Sequence, residues 1–455
     1  MEYAFLTLVA LCCFVTVMNW RVGLYACLII DVVRDPIRKL VDDQPVWVTI
    51  AGAIPWMVVM LRAFHTEQTE FRAMVVRYPQ MLQALGVFLV ALAPGFFLSC
   101  VLYPSGYILA FIGAASYLGP FVGLALGYLF VREEETLFRF FKAYVLVNSV
   151  AMIGTPLEFL NYDVPALGGI RVDWIRYREG YTVDLITGFY RSPDVMGLHA
   201  AHIMMFGLIL ASRARSLFAA GWLTTVLWGA ACLVLCGRRK MIAIPAIFIL
   251  TYLGLSLFYG APRRVRAVTR IVFAGAVAVG IFLLVNAGQH GNEYAEYAST
   301  TLSELPDRLS RNVIEGAQVS VRQSGVLGGG LGTGTQGRYY TGVQTGRAAR
   351  GWQEDAIGRI LLEVGVPGLV LMLLSGWCVL RSFQEALSLV PRESSVRDLQ
   401  LLLIAVVAGD LASFLVAHQH FSGDPVSALI VTLLAGCVLG APRVSADRSS
   451  MIAAR

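Results

Sequence analysis

The chain has 455 residues, 57% of them hydrophobic and 15% charged, with a formal net charge of +6 and a mean hydropathy of +0.67. So few polar side chains cannot coat a water-soluble globule of that length, which excludes a soluble enzyme or binding module and points to a polytopic membrane protein. The 8 cysteines all lie in or at the ends of apolar runs without CxxC spacing, so neither a disulfide framework nor a zinc site is expected.

A helix needs about 20 residues to cross a hydrocarbon core of roughly 30 Å. Apolar runs of this kind occur near 2–19, 46–63, 80–102, 107–131, 137–157, 194–212, 216–235, 240–258, 268–287, 356–381, 399–418 and 425–441. A weaker run at 21–33 reads as a full span or a re-entrant piece. The fold class expected is all-α and polytopic, with about 12–13 transmembrane helices and two long outer loops. The run at 2–19 has no basic n-region and no small-residue cleavage site, which predicts a retained helix rather than a signal peptide.

Orientation follows from Lys and Arg in short loops. The linker with Arg263, Arg264, Arg266 and Arg270 carries no acid and is expected on the cytoplasmic side. Alternation then makes 64–79, 213–216 and 382–398 cytoplasmic and puts 158–193 and 288–355 outside. The domain reading is 1–157 N-terminal helices, 158–193 first outer loop, 194–287 central helices, 288–355 large outer loop, 356–441 C-terminal helices and 442–455 cytoplasmic tail. The same scheme puts GRRK (237–240) at the outer face, against the positive-inside trend, which suggests that those cations have a role other than topology.

The chain has 36 basic residues, and only Lys39, Lys142 and Lys240 are lysines. A guanidinium binds phosphate oxygens bidentately and keeps its charge when partly desolvated, which suits a lipid diphosphate; a genomic bias toward Arg is the plain alternative. The segment 308–350 holds Arg308, Arg311, Arg322, Arg338, Arg347 and Arg350 against the single acid Glu315, so an anionic partner is expected there. In 158–193, Arg171, Arg176, Arg178 and Arg191 alternate with Asp163, Asp173, Glu179 and Asp184, which fits either a binding surface or a solvated face.

Within GVLGGGLGTGTQG (325–337) the glycines, Gly330, Gly332 and Gly334 among them, permit positive φ and close backbone approach, so that exposed N–H groups cradle phosphate or sugar oxygens, or else the segment forms a plain hinge. No GK[ST] follows, so this is not a P-loop. Glu354 and Asp355 stand where the loop re-enters the membrane, as a general base beside a helix N-terminus or as an N-cap with a first-turn acid. Arg238, Arg239 and Asp410 fall in or at the ends of spans, where charges face a bundle interior or a polar cavity; for Arg239 and Lys240 snorkelling is an equal alternative. His199 and His202 share a helix face and His418 and His420 flank a turn, without a third ligand near in sequence, so no metal site is expected.

The order of these features resembles the O-antigen ligase and polymerase superfamily. The likeness rests on the late Arg-bearing loop, GGGLGTG (328–334), and the helix pattern L-x-E-x-G-x-x-G at Leu361, Glu363, Gly365 and Gly368. It also rests on GFYRSPDVMGLHAA (188–201), with Asp194 where Asn is common, and LVLCGRRKMIAIP (233–245), with Cys236, Gly237 and Arg238 at the usual Ser-Arg-Gly junction. It covers roughly 185–380; the first 150 residues match only in hydropathy.

The resemblance implies a GT-C-like bundle that carries out metal-independent, cofactor-free glycosyl transfer at the outer, periplasmic face of a bacterial inner membrane. The donor is a glycan on undecaprenyl diphosphate, and the partners are membrane lipid, chain-length regulator and export proteins, with no nucleic acid. Ligases usually carry a His nine residues before the helix Glu, and here that position is Glu354, which favours a polymerase of O-antigen or exopolysaccharide type. In this reading Glu354 is the base or orients the acceptor. Arg238 or Arg239 with Arg311 binds the diphosphate, joined by Arg191, Arg322 and Arg338, and Gly330, Gly332, Gly334 and Asp355 contact glycan. The rivals are a ligase acting on lipid A core, a transporter or flippase, and a non-catalytic assembly partner; no matching halves of the inverted-repeat kind support a carrier.

Overall fold

The computed structural model describes residues 1–170, 172–178, 181–214, 216–260, 310–335, 337–338, 341–343, 355–422 and 424–453. Helices dominate: α1 Glu2–Met18, α2 Trp20–Leu40, α3 Val46–Thr66, α4 Gln68–Arg77, α5 Pro79–Leu102, α6 Gly106–Phe130, α7 Glu134–Ala151 and α8 Gly154–Phe159. After a hairpin of β1 (Ile175–Arg178) and β2 (Tyr181–Asp184) come α9 Pro193–Arg213, α10 Ser216–Leu235 and α11 Arg239–Tyr259. A π-type turn at Ser310–Glu315 leads into α12 Gly316–Ser324, followed by α13 Ala356–Ser388, α14 Ser395–Val416, α15 Gln419–Ser422 and α16 Pro425–Ala453.

Among the described residues, 10 helices are long and apolar enough to cross a membrane, and Glu2–Met18 is a shorter apolar helix. The chain is an all-α polytopic membrane protein. The expected span at 268–287 lies outside the described residues. Local chemistry sets several boundaries: Asn19 accepts the N–H groups of Arg21 and Val22 to start α2, and Ser192 with Pro193 starts α9. Pro55, Pro94, Pro120, Pro245 and Pro367 lie inside spans, where neighbouring helices can satisfy the freed carbonyls.

Three segments carry more secondary structure than hydropathy alone shows. The weak run at 21–33 is part of a longer helix, α2, that continues through Asp35, Arg38 and Lys39, because these charges are buried against partners instead of meeting solvent. Residues 68–77 and the stretch from 442 to 453 are helical, as α4 and the end of α16. The segment 158–193 holds the end of α8 and the β1–β2 hairpin, paired antiparallel with Ile175 opposite Asp184, so a little sheet accompanies the helices.

The chain forms two compact units: Met1–His65, Glu133–Ser303 and Ile404–Gly409 in the first, Thr66–Arg132, Glu304–Leu403 and Asp410–Arg455 in the second. In the first, α9 packs on α7, α10 and α11, and 78% of its span is buried. That helix is therefore the interior element of its unit. In the second, α16 holds the same position, with 83% of its span buried, against α6 and α13.

The α6–α16 crossing has a sequence cause. Both helices carry glycines four apart, Gly123 and Gly127 on one, Gly436 and Gly440 on the other. A Cβ at Gly127 would stand 1.8 Å from the Leu433 carbonyl oxygen, and one at Gly436 would stand 2.0 Å from that of Leu124. Small residues at such a seam let backbones approach where lipid offers no hydrophobic drive to associate. Gly127→Leu is expected to destabilise the protein by about 1–3 kcal/mol, measured as a lower unfolding midpoint in detergent. Gly119→Leu, on the same helix with nothing within 4 Å of its Cβ, is expected to leave that midpoint unchanged.

Candidate functional site

In the first unit, two stretches far apart in sequence meet at helix ends. The segment 186–192 runs into the first turn of α9, and the turn 236–238 joins α10 to α11. Gly237 takes φ +60, and Ile186 N–H donates to the Leu235 carbonyl at 3.4 Å. The Asp194 carboxylate, in the first turn of α9, lies 2.9 Å from Lys240 Nζ and 3.3 Å from Arg238. Asp194, Arg238 and Arg239 are 4%, 6% and 4% exposed, so these are interior charges and the Arg239 side chain does not snorkel.

Arg238 also stacks over Trp174, 4.9 Å from the ring centroid, just before β1. The junction thus joins two cations, Arg238 and Lys240, to one carboxylate, and Arg239 between them in sequence is buried as well. A cationic surplus with little water around it attracts anions strongly. Cys236, buried in the turn, has its thiol pushed up to about 12 by burial, so it stays protonated and is a poor nucleophile.

The segment 186–192 is tethered from several directions. Glu158 on α8 accepts from Gly188 N–H at 2.5 Å, Thr187 N–H at 3.2 Å and the Thr187 hydroxyl at 3.1 Å. Lys39 donates to the carbonyls of Gly188 at 2.9 Å and Tyr190 at 2.7 Å, and Asp35 accepts from Arg191 N–H at 3.1 Å. Below it, the Tyr144 hydroxyl bonds His199 Nδ1 at 2.6 Å and His202 Nδ1 at 2.9 Å, and Tyr190 stacks on His199 and donates to Asn148. Burial raises the Tyr190 phenol well above its usual range, with the nearby Asp31 adding to the effect.

The second unit contains the glycine segment, and its placement differs from expectation. Residues 328–335 are not an exposed cradle; they are wedged among α5, α6 and α13. Leu331 N–H donates to the Gly95 carbonyl at 2.8 Å, Gly329 N–H to that of Leu362 at 2.7 Å, and Ser99 Oγ to that of Leu331 at 2.6 Å. Leu331 is fully buried with Leu92, Tyr117 and Val364. Gly330 and Gly332 take φ +105 and +87, and a Cβ at Gly332 would meet the Leu109 carbonyl oxygen at 2.1 Å. Close packing, not exposure, is what these glycines permit.

One carboxylate closes this segment down. Glu363 Oε1, on the fully buried Glu363 side chain, accepts from Gly334 N–H at 2.8 Å and the Thr335 hydroxyl at 3.0 Å. Arg359, one turn earlier, lies 3.6 Å from Glu363, donates to Thr335 and Ser116, and covers the Tyr117 ring at 4.5 Å. Two residues after Glu363, Gly365 at φ +69 breaks the helical geometry of α13 and lets Val366 N–H reach the Val326 carbonyl at 2.8 Å.

The remaining expected residues scatter. Asp355 caps α13, accepting from Gly358 N–H at 2.5 Å. Arg338 is half-buried and donates to the Thr333 carbonyl, and Arg322 is exposed on α12. Arg191 is half-buried beside the first-unit junction. Glu354 lies outside the described residues, as does the Arg311 side chain, whose backbone belongs to the Ser310–Glu315 turn. Asp410 is fully buried on α14.

Sequence reasoning missed Asp35, Lys39, Glu158, Arg359 and Glu363 as structural partners. The signals were present as charges on otherwise apolar helices, and for Arg359 and Glu363 as an i, i+4 pair. Asp194→Ala leaves Arg238 and Lys240 uncompensated and is expected to cost about 3–5 kcal/mol, measured by unfolding in detergent. Adding Arg238→Met and Lys240→Met to it is expected to restore part of that loss. Glu363→Gln is expected to speed amide exchange across 328–335 and leave exchange across 186–192 unchanged. No protein-family model, curated protein or solved structure matches the chain.

Proposed function

We propose that the protein is a membrane glycosyltransferase of the O-antigen ligase and polymerase type. It extends a glycan held on a polyprenyl diphosphate at the outer, periplasmic face of a bacterial inner membrane, and it acts as a polymerase of O-antigen or exopolysaccharide repeat units. The observation that carries this reading is the meeting of 188–201 with 233–245. Two of the stretches that bear the family resemblance join through Asp194, Arg238 and Lys240 into one buried, cation-rich junction at helix ends.

In this reading the junction receives the diphosphate. Arg238 and Arg239, with Arg191 at the rim, compensate the charge that develops as the diphosphate departs, a role that fixed guanidinium groups fill without reorganisation. Asp194 holds Arg238 and Lys240 in place while leaving the group net positive. Glu354 takes the proton of the attacking hydroxyl or orients it, and Arg311, Arg322 and Arg338 hold acceptor or donor phosphate along the late loop. The buried Glu363–Arg359 pair fixes the glycine segment that precedes Arg338 and so supports this loop without touching substrate.

A transporter is the second reading, favoured by the buried charges of α2, since ionisable groups within a bundle often mark a transport path. The test is polymer length in a deletion strain complemented with wild type, Glu354→Gln, Arg238→Ala or Arg311→Ala, with the amount of each protein checked in the membrane. Loss of long polymer with accumulation of single repeat units on the outer-leaflet lipid carrier is expected for Glu354→Gln and Arg238→Ala. Repeat units trapped in the inner leaflet would instead support transport, and normal polymer with all three variants would overturn the glycosyltransferase reading.

A further inference from the structure

The charged face of α2 lies outside every stretch that carries the family resemblance, yet it bonds directly to one of them. Asp31, Arg34, Asp35, Arg38 and Lys39 are 6%, 1%, 2%, 4% and 8% exposed. Burying five ionisable groups on one helix is costly unless each is matched. Part of the matching is internal to the helix: Arg34 pairs with Asp31 at 2.8 Å and lies 3.9 Å from Asp35. Asp35 and Lys39, one turn apart, also reach outward and bond main-chain atoms of 188–191.

We propose that Asp35 and Lys39 are positioning residues that hold the Gly188–Ser192 segment, and with it Arg191 and the start of α9, in the conformation that an isoprenoid diphosphate meets. This rests on the donor site proposed above. Four observations support it. First, the contacts are to main-chain atoms, so they fix backbone course and not side-chain identity. Second, Lys39 donates to two carbonyls two residues apart, Gly188 and Tyr190, which pins the turn that Tyr190 N–H closes on the Thr187 carbonyl at 3.1 Å.

Third, Glu158 grips the same turn through the N–H groups of Thr187 and Gly188, and Ile170 N–H bonds the Arg191 carbonyl at 3.2 Å. Gly188 takes φ +59, a conformation that the tethers must hold because an untethered glycine samples many others. Fourth, Lys39 supplies its charge within the first unit, where Asp35 and Glu158 both favour the ammonium form. Burial nonetheless outweighs them and pushes Lys39 down to about 8. Its protonation, and with it the strength of the grip on the two carbonyls, therefore falls as pH rises through about 8.

The experiment uses the full-length protein in detergent, as wild type, Lys39→Met, Lys39→Gln, Lys39→Arg and Asp35→Ala. Two quantities are measured: amide exchange across 186–192 and binding of farnesyl diphosphate, with the unfolding midpoint as a check on folding. Losing charge-assisted hydrogen bonds is expected to raise exchange and weaken diphosphate binding by about tenfold or more in Lys39→Met and Lys39→Gln. Asp35→Ala is expected to act in the same direction, and Lys39→Arg to recover both quantities. In wild type, binding is expected to weaken above pH 8, whereas in Lys39→Arg it stays level because a guanidinium does not titrate there.

Unchanged exchange across 186–192 in Lys39→Gln and Asp35→Ala would overturn the clamp. Raised exchange with undiminished diphosphate binding would overturn the positioning role. A wild-type protein that does not bind farnesyl diphosphate would overturn the donor site itself, an outcome set apart from the clamp because exchange is read without ligand.

Discussion

A charge enclosed by helices must find its counter-charge or its hydrogen bonds inside the protein, because the surroundings offer neither water nor ions to compensate it. That requirement organises the first unit around Asp194. Its carboxylate stands in the first turn of α9, where the helix dipole favours negative charge, and it draws in Arg238 and Lys240 from the opening of α11. The same requirement draws α2 onto 188–191 and Glu158 onto 187–188. The course of residues 187–191 ahead of α9 is accordingly pinned by charged side chains that bond its main chain.

The second unit meets the same constraint with a different device. Here the buried carboxylate, Glu363, satisfies main-chain and hydroxyl donors of a glycine-rich segment, and Arg359 offsets its charge. The glycines let the segment lie so close to α5, α6 and α13 that its own N–H and carbonyl groups bond to helix carbonyls and side chains. An irregular stretch inside a bundle is tolerable on that condition alone. The two units thus show two ways of making a non-helical segment rigid, one through lysine and carboxylate tethers and one through steric closeness.

The apolar runs were legible because hydropathy over about 20 residues is a coarse, local quantity. What hydropathy could not show is where charge is paired: the α2 run ends at residue 33 by composition, but the helix extends to Leu40 because its charges have partners inside the unit. Arg238 and Arg239 were legible as anomalies, since the alternation of spans expected from hydropathy sets these basic residues against the usual distribution. Their carboxylate was not, because Asp194 is more than forty positions away and reads as an ordinary first-turn acid. The glycine segment was legible as a place of positive φ and close backbone approach, but composition alone does not say that what it approaches is α5, α6 and α13 and not a ligand. Glu363 was visible within its pattern, yet the pattern does not say that the side chain faces inward.

Tyr144 sits between two imidazoles, its hydroxyl within hydrogen-bonding distance of Nδ1 on both His199 and His202. A phenol has one proton to give, so it can donate to only one of those nitrogens. At least one of the two rings must therefore carry its own proton on Nδ1 and present a bare Nε2 when neutral. Two histidines one turn apart on the same helix are thus barred from both being neutral with their protons on Nε2, a restriction imposed by a single oxygen atom.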